Sequence, residues 1–294
     1  HYYPTLKQHL REFQPDIVHI DEEPYNLSTW QLLRLAKQHN TKSLIFTWQN
    51  ILRKYPPPFS WGETWTLNNI DYLLAGTDSA GDIMRQKGYA GEIATIPQFG
   101  TDPDLFKPVT TRPKRPFTIG YIGRLVEEKG VQDILQAAGQ LKGDWHLRLV
   151  GSGPLKETLM QQAETLNIAE RITWIDWIAS TEMPSQYHQV DVLILPSLTR
   201  PNWKEQFGRV LVEAMASGVP LIGSDSGAIP GVMGDGGLVI PEGDVDALLD
   251  ALQRLHDDTN LRKMLAKNGR KRALVHFTHQ SIAQATVSVY QKML

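Results

Sequence analysis

Short apolar runs alternate with stretches of helical spacing along this chain, and that alternation constrains the fold more than any other feature. The runs are DIVHI at 16–20, SLIFTW at 43–48, IDYLLA at 70–75 and IATI at 93–96. Six more follow: FTIGYIG at 117–123, HLRLVG at 146–151, RITWI at 171–175, DVLILP at 191–196, PLIGS at 220–224 and GLVI at 237–240. Helical spacing fills gaps between them. Trp30, Leu32, Leu33, Leu35 and Ala36 mark one such stretch at 28–39, and 79–88, 131–141, 154–165 and a run from about 207 mark others. Strands separated by helices return by crossover rather than by hairpin. The pattern therefore predicts parallel sheets with helices on both faces, an α/β class.

The rhythm stops once, at KPVTTRPKRP (107–116), where three prolines and four basic residues read as a surface linker. With 294 residues the chain is long for one core and suits two domains of ~100–200 residues. We expect domains over 1–108 and 109–279, followed by an amphipathic helix over 280–294 with Ile282, Val287, Tyr290 and Leu294 apolar. A net charge of −2 supplies no global basic field for nucleic acid or anionic lipid. The absence of cysteine excludes disulfides and thiolate metal sites. No run of apolar residues is long enough to span a bilayer, which takes about 18 or more, and no signal peptide is visible. The chain opens His1-Tyr2-Tyr3-Pro4, as expected of a fragment or a trimmed chain.

In doubly wound sheets, ligands bind beyond the carboxyl ends of the strands. Functional residues are therefore sought just after the apolar runs. GYIGRLVEEKG (120–130) follows one and carries Gly123, Arg124 and Lys129. Two cations beside a glycine that permits close backbone approach suit a diphosphate. The ordinary alternative is a basic loop, and the GxGxxG dinucleotide pattern is absent. In LVGSGPL (149–155), Gly151 and Gly153 mark either a backbone wall against a nucleoside or a plain tight turn.

KEQFGRVLVEAMASGVP (204–220) is more specific. Phe207 and Gly208 open a helix whose free N–H groups and dipole can hold a phosphate. Glu205 precede that opening and Glu213 lies within it. Eight steps of helix rise about 12 Å, a match to the gap between a donor sugar and its ribose, and leave the carboxylates roughly 80° apart. A carboxylate accepts two hydrogen bonds from a vicinal diol. Two solvated glutamates on an amphipathic helix are the alternative. Against it, Glu213 sits in an apolar run, where an unpaired acid is costly.

Two stretches and the histidines complete the reading. The Gly/Pro-rich segment 223–244 is loop architecture, with a wall around a ligand as its only expected role. TWQNILRKYPPPFSWGETW (47–65) is either an acceptor platform, a membrane-facing edge or a packed loop. His19 and His188 lack metal-ligand spacing and read as structural, and HExxH, GxSxG and GxxxxGK[ST] are absent.

Taken together these residues resemble the retaining, nucleotide-sugar-dependent glycosyltransferases of family 4 (glycosyltransferase group 1). The resemblance rests on PDIVH at 15–19, IPQFGTDPDLFKP at 96–108, GRLVEEKG at 123–130, LVGSGP at 149–154 and LPS at 195–197. It rests most on EQFGRVLVEAMASGVPLIGSDSGAIPGV at 205–232. It implies the GT-B architecture, two Rossmann-like doubly wound domains facing a cleft, with the last helix crossing back to the N-terminal domain. It implies no cofactor beyond a UDP- or GDP-sugar donor, and a sugar, glycan or lipid-linked acceptor. It implies that Arg124 and Lys129 hold the diphosphate with Gly123 beside them, that Glu205 contacts the donor sugar near the reacting centre, and that Glu213 holds the ribose hydroxyls. It implies further that backbone at Phe207, Gly208, Arg209 and Val210 binds sugar hydroxyls and phosphate, and that Gly151 and the strand end near Trp177 border the base. Polysaccharide or glycan assembly in the cytoplasm, with peripheral contact at the inner membrane face, is the setting it suggests.

Two departures stand out. Members of this family begin about 80–100 residues earlier with a glycine-rich loop, so the resemblance implies an incomplete N-terminal domain. Many carry a histidine after the strand equivalent to 43–47, where this chain reads Thr47-Trp48-Gln49-Asn50. A nucleotide-sugar-binding module without transferase activity is the competing expectation.

Overall fold

A computed structural model describes residues 1–109 and 114–294. The centre of the expected linker, 110–113, lies outside the described residues. The chain divides into two compact units, His1–Gln98 with Ile282–Leu294, and Phe99–Ser281.

The first unit contains α1 (Leu6–Phe13), β1 (Ile17–Ile20), α2 (Leu27–Gln38), β2 (Lys42–Thr47), α3 (Phe59–Leu67), β3 (Tyr72–Ala75), α4 (Asp78–Gln86) and β4 (Glu92–Thr95). Its four strands are parallel and lie in chain order, β1-β2-β3-β4. Side chains alternate across a strand, so each strand serves two layers. Ile45, Leu73 and Ala75 point into one layer with Leu33 and Ala36 of α2, Leu67 of α3 and Met84 of α4. Leu44, Phe46, Tyr72 and Leu74 point into the other, where Ile282, Val289, Tyr290 and Met293 cover them. Each fully buried aliphatic side chain contributes about 1.5–3 kcal/mol, so both layers hold the sheet.

The second unit contains β5 (Phe117–Ile122), α5 (Val131–Gln140), β6 (Trp145–Val150), α6 (Lys156–Thr165), β7 (Ile172–Ile175), α7 (Met183–His188), β8 (Val192–Leu195), α8 (Arg209–Ala216), β9 (Leu221–Ser224), α9 (Ile229–Met233), β10 (Gly237–Ile240), α10 (Val245–Asp257) and α11 (Thr259–His276). The last helix of the chain, α12 (His279–Met293), starts here and supplies the residues from Ile282 onward to the first unit. The six strands are parallel in the order β7-β6-β5-β8-β9-β10. Numbered by appearance that is 3-2-1-4-5-6, the Rossmann order, and the chain reverses direction across the sheet between β5 and β8. Ile119, Tyr121, Leu147, Leu149, Ile194 and Ile222 form one face of the sheet core with Ile134 of α5, Leu159 of α6 and Leu252 of α10.

All ten apolar runs are strands. The stretch at 47–65 is part loop, part helix. Tyr55 stacks on Tyr25 at 4.3 Å, whereas Phe59, Trp61 and Trp65 of α3 are exposed. Sequence reading assigned nothing to 245–279, which forms α10 and α11. Both helices start on aspartate caps: Asp244 accepts from Ala247 N, and Asp258 accepts from Asn260 N and Leu261 N. Among the described residues no helix is long and apolar enough to cross a membrane.

Candidate functional site

The switch between β5 and β8 brings two strand-end loops side by side. The loop after β5 runs from Gly123 to Gly130, and Gly130 adopts φ +63° with its ideal Cβ position 2.2 Å from Pro196 O. Any side chain there would strike the backbone of the loop after β8. Leu198 N donates to Glu128 O at 2.8 Å and completes the junction. The loop after β9 joins the same assembly: Ala228 N donates to Glu205 O at 3.1 Å, and Ser224 Oγ donates to Ser197 O at 2.5 Å. Thr199 donates from its N–H and its hydroxyl to Glu242, beyond β10. Four consecutive strand ends of the unit are thus stitched together around residues 197–205.

Lys129 and Glu205 meet there. Lys129 Nζ lies 2.5 Å from Glu205 Oε2, and Ser197 Oγ donates to the same oxygen at 2.8 Å. The lysine also sits 4.9 Å from the centre of the Trp203 ring. Both charged side chains are largely buried, 14% and 10% exposed, so the pair is a strong local field rather than a surface contact. Arg124 differs. Its backbone is fixed, because the buried Tyr121 hydroxyl donates to Arg124 O at 2.6 Å. Burial first, and then the charge of Glu205, push that phenol's pKa up, so Tyr121 stays a donor. The Arg124 side chain is 67% exposed and only loosely paired with Glu128 at 3.6 Å, which leaves the guanidinium reach to meet a ligand.

Glu213 occupies a second pocket of charge. Its Oε2 accepts from the Tyr187 hydroxyl at 2.6 Å and its Oε1 from Arg209 Nε at 2.8 Å. The apolar run around it therefore contains a paired acid, not an orphan. α8 begins at Arg209, with Gly208 as its cap at φ +73°. Glu205 lies in irregular backbone ahead of the helix, where the sequence reading put it, but for that reason the rise of about 12 Å and the offset of roughly 80° of a continuous helix do not apply. Phe207 is buried with its ring 5.8 Å from that of Phe277, and Val210 is half-buried.

Gly151 and Trp177 lie at the ends of β6 and β7. Gly151 has φ +138°, and a Cβ there would fall 1.9 Å from Gly123 O. Gly123 N donates to Val150 O at 2.9 Å and Gly151 N to Ile175 O at 2.7 Å, so the ends of β5, β6 and β7 pack backbone to backbone. Trp177 is 80% exposed, next to Asp176, which pairs with Lys156. The structure therefore joins Lys129 with Glu205, joins Arg209 with Glu213, and stacks Gly123 on Gly151. It leaves Trp177 on the surface, apart from these pairs. Among the described residues no group of three or more His, Cys, Asp or Glu side chains is disposed to hold a metal ion.

Sequence reading missed Ser197, Tyr187, Trp203 and the Thr199–Glu242 pair. Ser197 lies two residues beyond β8, in the LPS stretch, so the strand-end rule could have given it a role. Tyr187 carries no local signal, since its meaning lies in a contact 26 residues away. In the first unit the turn after β2 is also locked. Glu23 accepts from Thr47 Oγ1 at 2.7 Å, Trp48 N at 2.8 Å and Gln49 Nε2 at 3.1 Å, and Gln49 Oε1 accepts from Lys87 Nζ at 2.6 Å. The Gln49 amide is thus committed to structure. His19 Nδ1 meets the Tyr290 hydroxyl at 2.7 Å and His188 Nε2 donates to Lys107 O at 2.8 Å.

Comparison with known proteins bears on this architecture. The family model described as glycosyl transferases group 1 matches residues 103–272, and the glycosyl transferase 4-like domain model matches 1–98. The chain is 32% identical over 234 residues to the MMP alpha-(1→4)-mannosyltransferase of Mycolicibacterium hassiacum, covering 76% of this chain and 54% of that protein. It superposes on sucrose-phosphate synthase from Thermosynechococcus elongatus with a TM-score of 0.77 at 25% identity, covering 98% of this chain and 76% of the other. HepE from Anabaena, solved in complex with UDP, shares the fold, with a TM-score of 0.80 at 18% identity over 98% of this chain and 82% of its own. The chain spans about half the length of the curated relatives it matches first. With two Rossmann-like units of the GT-B kind and the group 1 model matched over most of the second, the chain belongs to the glycosyl transferases group 1 family.

Proposed function

We propose that the chain moves a hexosyl group from a nucleoside diphosphate sugar, UDP- or GDP-linked, to an acceptor hydroxyl, with retention and without a metal ion. The observation that carries this reading is the Lys129–Glu205 pair, which lies at the switch point of a Rossmann sheet in a chain region matched by the group 1 family. A cation beside a carboxylate suits a ligand that is anionic at one point and hydroxylated at the next. Arg124 and Lys129, with the N–H groups opening α8, offset charge on the departing diphosphate, the task a metal ion performs elsewhere. Glu205 grips donor-sugar hydroxyls, Glu213 grips the ribose, and the backbone at Gly123, Gly151 and Gly208 allows close approach.

In the transfer, the bond from sugar C1 to the phosphate oxygen breaks with its electron pair on the diphosphate. The acceptor oxygen bonds to C1 on the same face, and its proton passes to the departing phosphate oxygen. Glu205 is already bound by Lys129 and Ser197, which supports a gripping role over that of a nucleophile. The acceptor is a sugar, glycan or lipid-linked glycan in polysaccharide assembly. The first unit takes the acceptor side, and its exposed Phe59, Trp61 and Trp65 suit peripheral contact with the cytoplasmic membrane face.

The test incubates the chain with panels of UDP- and GDP-sugars plus sugar acceptors. Product is read by mass spectrometry and anomeric configuration by NMR. Retained-configuration product is expected. Calorimetric binding of UDP or GDP without turnover on any acceptor or water would favour a nucleotide-sugar-binding module, and no binding at all would refute the site.

A further inference from the structure

We propose that Tyr187 is a positioning residue that aims the Glu213 carboxylate at a vicinal diol, making the site selective for ribonucleoside over 2′-deoxyribonucleoside diphosphates. This rests on the reading of Glu213 as the ribose-binding carboxylate.

The geometry assigns different jobs to the two donors on Glu213. Tyr187 is fully buried, and its hydroxyl reaches Oε2 at 2.6 Å. The Phe106 ring packs edge-on against the Tyr187 ring at 5.8 Å and leaves it little freedom to turn. Burial and the charge of Glu213 push the phenol well above its ordinary range, so it donates at every working pH. Arg209 reaches Oε1 at 2.8 Å, but its side chain is 63% exposed and starts at the first residue of α8. Arg209 therefore supplies charge, while Tyr187 supplies position.

A carboxylate has about four acceptor directions, two on each oxygen. One direction on each oxygen is taken by these donors. One on each is left, and two acceptors side by side are what adjacent hydroxyls require. A sugar lacking the 2′-hydroxyl leaves one acceptor of a nearly buried carboxylate without its partner. Unpaired buried polar groups are what make such rejection strong. If the tyrosine hydroxyl is removed, the carboxylate can rotate about its terminal torsion, and the two directions no longer match a diol.

The experiment measures dissociation constants by calorimetry for UDP and 2′-deoxy-UDP, and for GDP and 2′-deoxy-GDP, with the full chain and with Tyr187→Phe. The parent should prefer the ribonucleotide by tenfold or more. Tyr187→Phe should bring the ratio below about threefold, by weakening ribonucleotide binding while leaving deoxynucleotide binding in place. A uniform loss for both nucleotides marks a merely structural effect and overturns the proposal, as does an unchanged ratio. A parent that does not discriminate refutes the ribose role of Glu213 itself, which separates the two failures. Should Tyr187→Phe not fold, the parent still decides. The hydrogen-bonded Tyr187 hydroxyl proton, slow to exchange because it is buried, should shift in the NMR spectrum with UDP and not with 2′-deoxy-UDP. Equal shifts would overturn the proposal.

Discussion

Breaking the Lys129–Glu205 pair from either side should cost far more than removing it whole. The Nζ–Oε2 distance of 2.5 Å gives a gross attraction of about 7 kcal/mol at an effective dielectric of about 20. Desolvating each ion costs several kcal/mol, so the intact pair comes out close to neutral. Lys129→Met leaves Glu205 largely buried without this cation, held by the Ser197 hydroxyl. We expect a loss of about 2–4 kcal/mol, below the full 3–5 of a dry pair because both side chains retain some exposure. Glu205→Gln strands the ammonium against Trp203 and should cost about 2 kcal/mol. In the double variant neither charge remains. It should lie within about 1 kcal/mol of the parent, a coupling of about 3–5 kcal/mol. Urea denaturation with unchanged m-values provides the measurement. Losses that add to within about 0.5 kcal/mol would refute the pairing.

Other expectations follow from the same geometry. Arg124→Ala should lower kcat about 100-fold with little change in melting temperature, because the side chain is exposed and loosely paired; near-normal turnover would remove it from the site. Gly151→Ala should destabilise the second unit by about 2–4 kcal/mol, since its φ is +138° and the new Cβ would meet Gly123 O. A melt within a degree of the parent would contradict that close packing. Burial raises the Glu23 carboxyl above its ordinary value of 4.5, against the donors around it. Its contribution is therefore full below pH 4.5 and lost as pH rises through the folded value. The stability of Glu23→Gln relative to the parent should climb between pH 4.5 and 7, and a flat difference would rule the shift out.

The strands were legible because a parallel sheet covered on both faces needs near-continuous apolar runs, as VLIL of β8 and YLLA of β3 provide. α11 was not, and its burial shows why. Only Leu265, Gly269 and Ala273 are buried along its length, two of them too small to register as an apolar stripe. The carboxylates of the site were legible because each lies in a marked local pattern. Their partners were not. Lys129 and Glu205 are 76 residues apart in sequence, and nothing local says that one will neutralise the other. The helical spacing between Glu205 and Glu213 does not apply, because α8 starts only after Gly208 and leaves Glu205 in the loop ahead of it.

The sheet order has a consequence for how this unit assembles. β5 and β8 are neighbours, yet three helical crossovers, through α5, α6 and α7, separate them along the chain, and a loop of 76 residues must close before Lys129 can reach Glu205. For a flexible chain that closure costs about 4 kcal/mol of entropy. The half-sheet of β5, β6 and β7 can in principle form before any of this happens, but it holds only half of the charge. The site therefore comes into being with the β5–β8 seam and is lost with it. On the proposed donor-binding reading, a nucleotide that touches both sides of that seam would act as a rivet and slow the opening of the unit there.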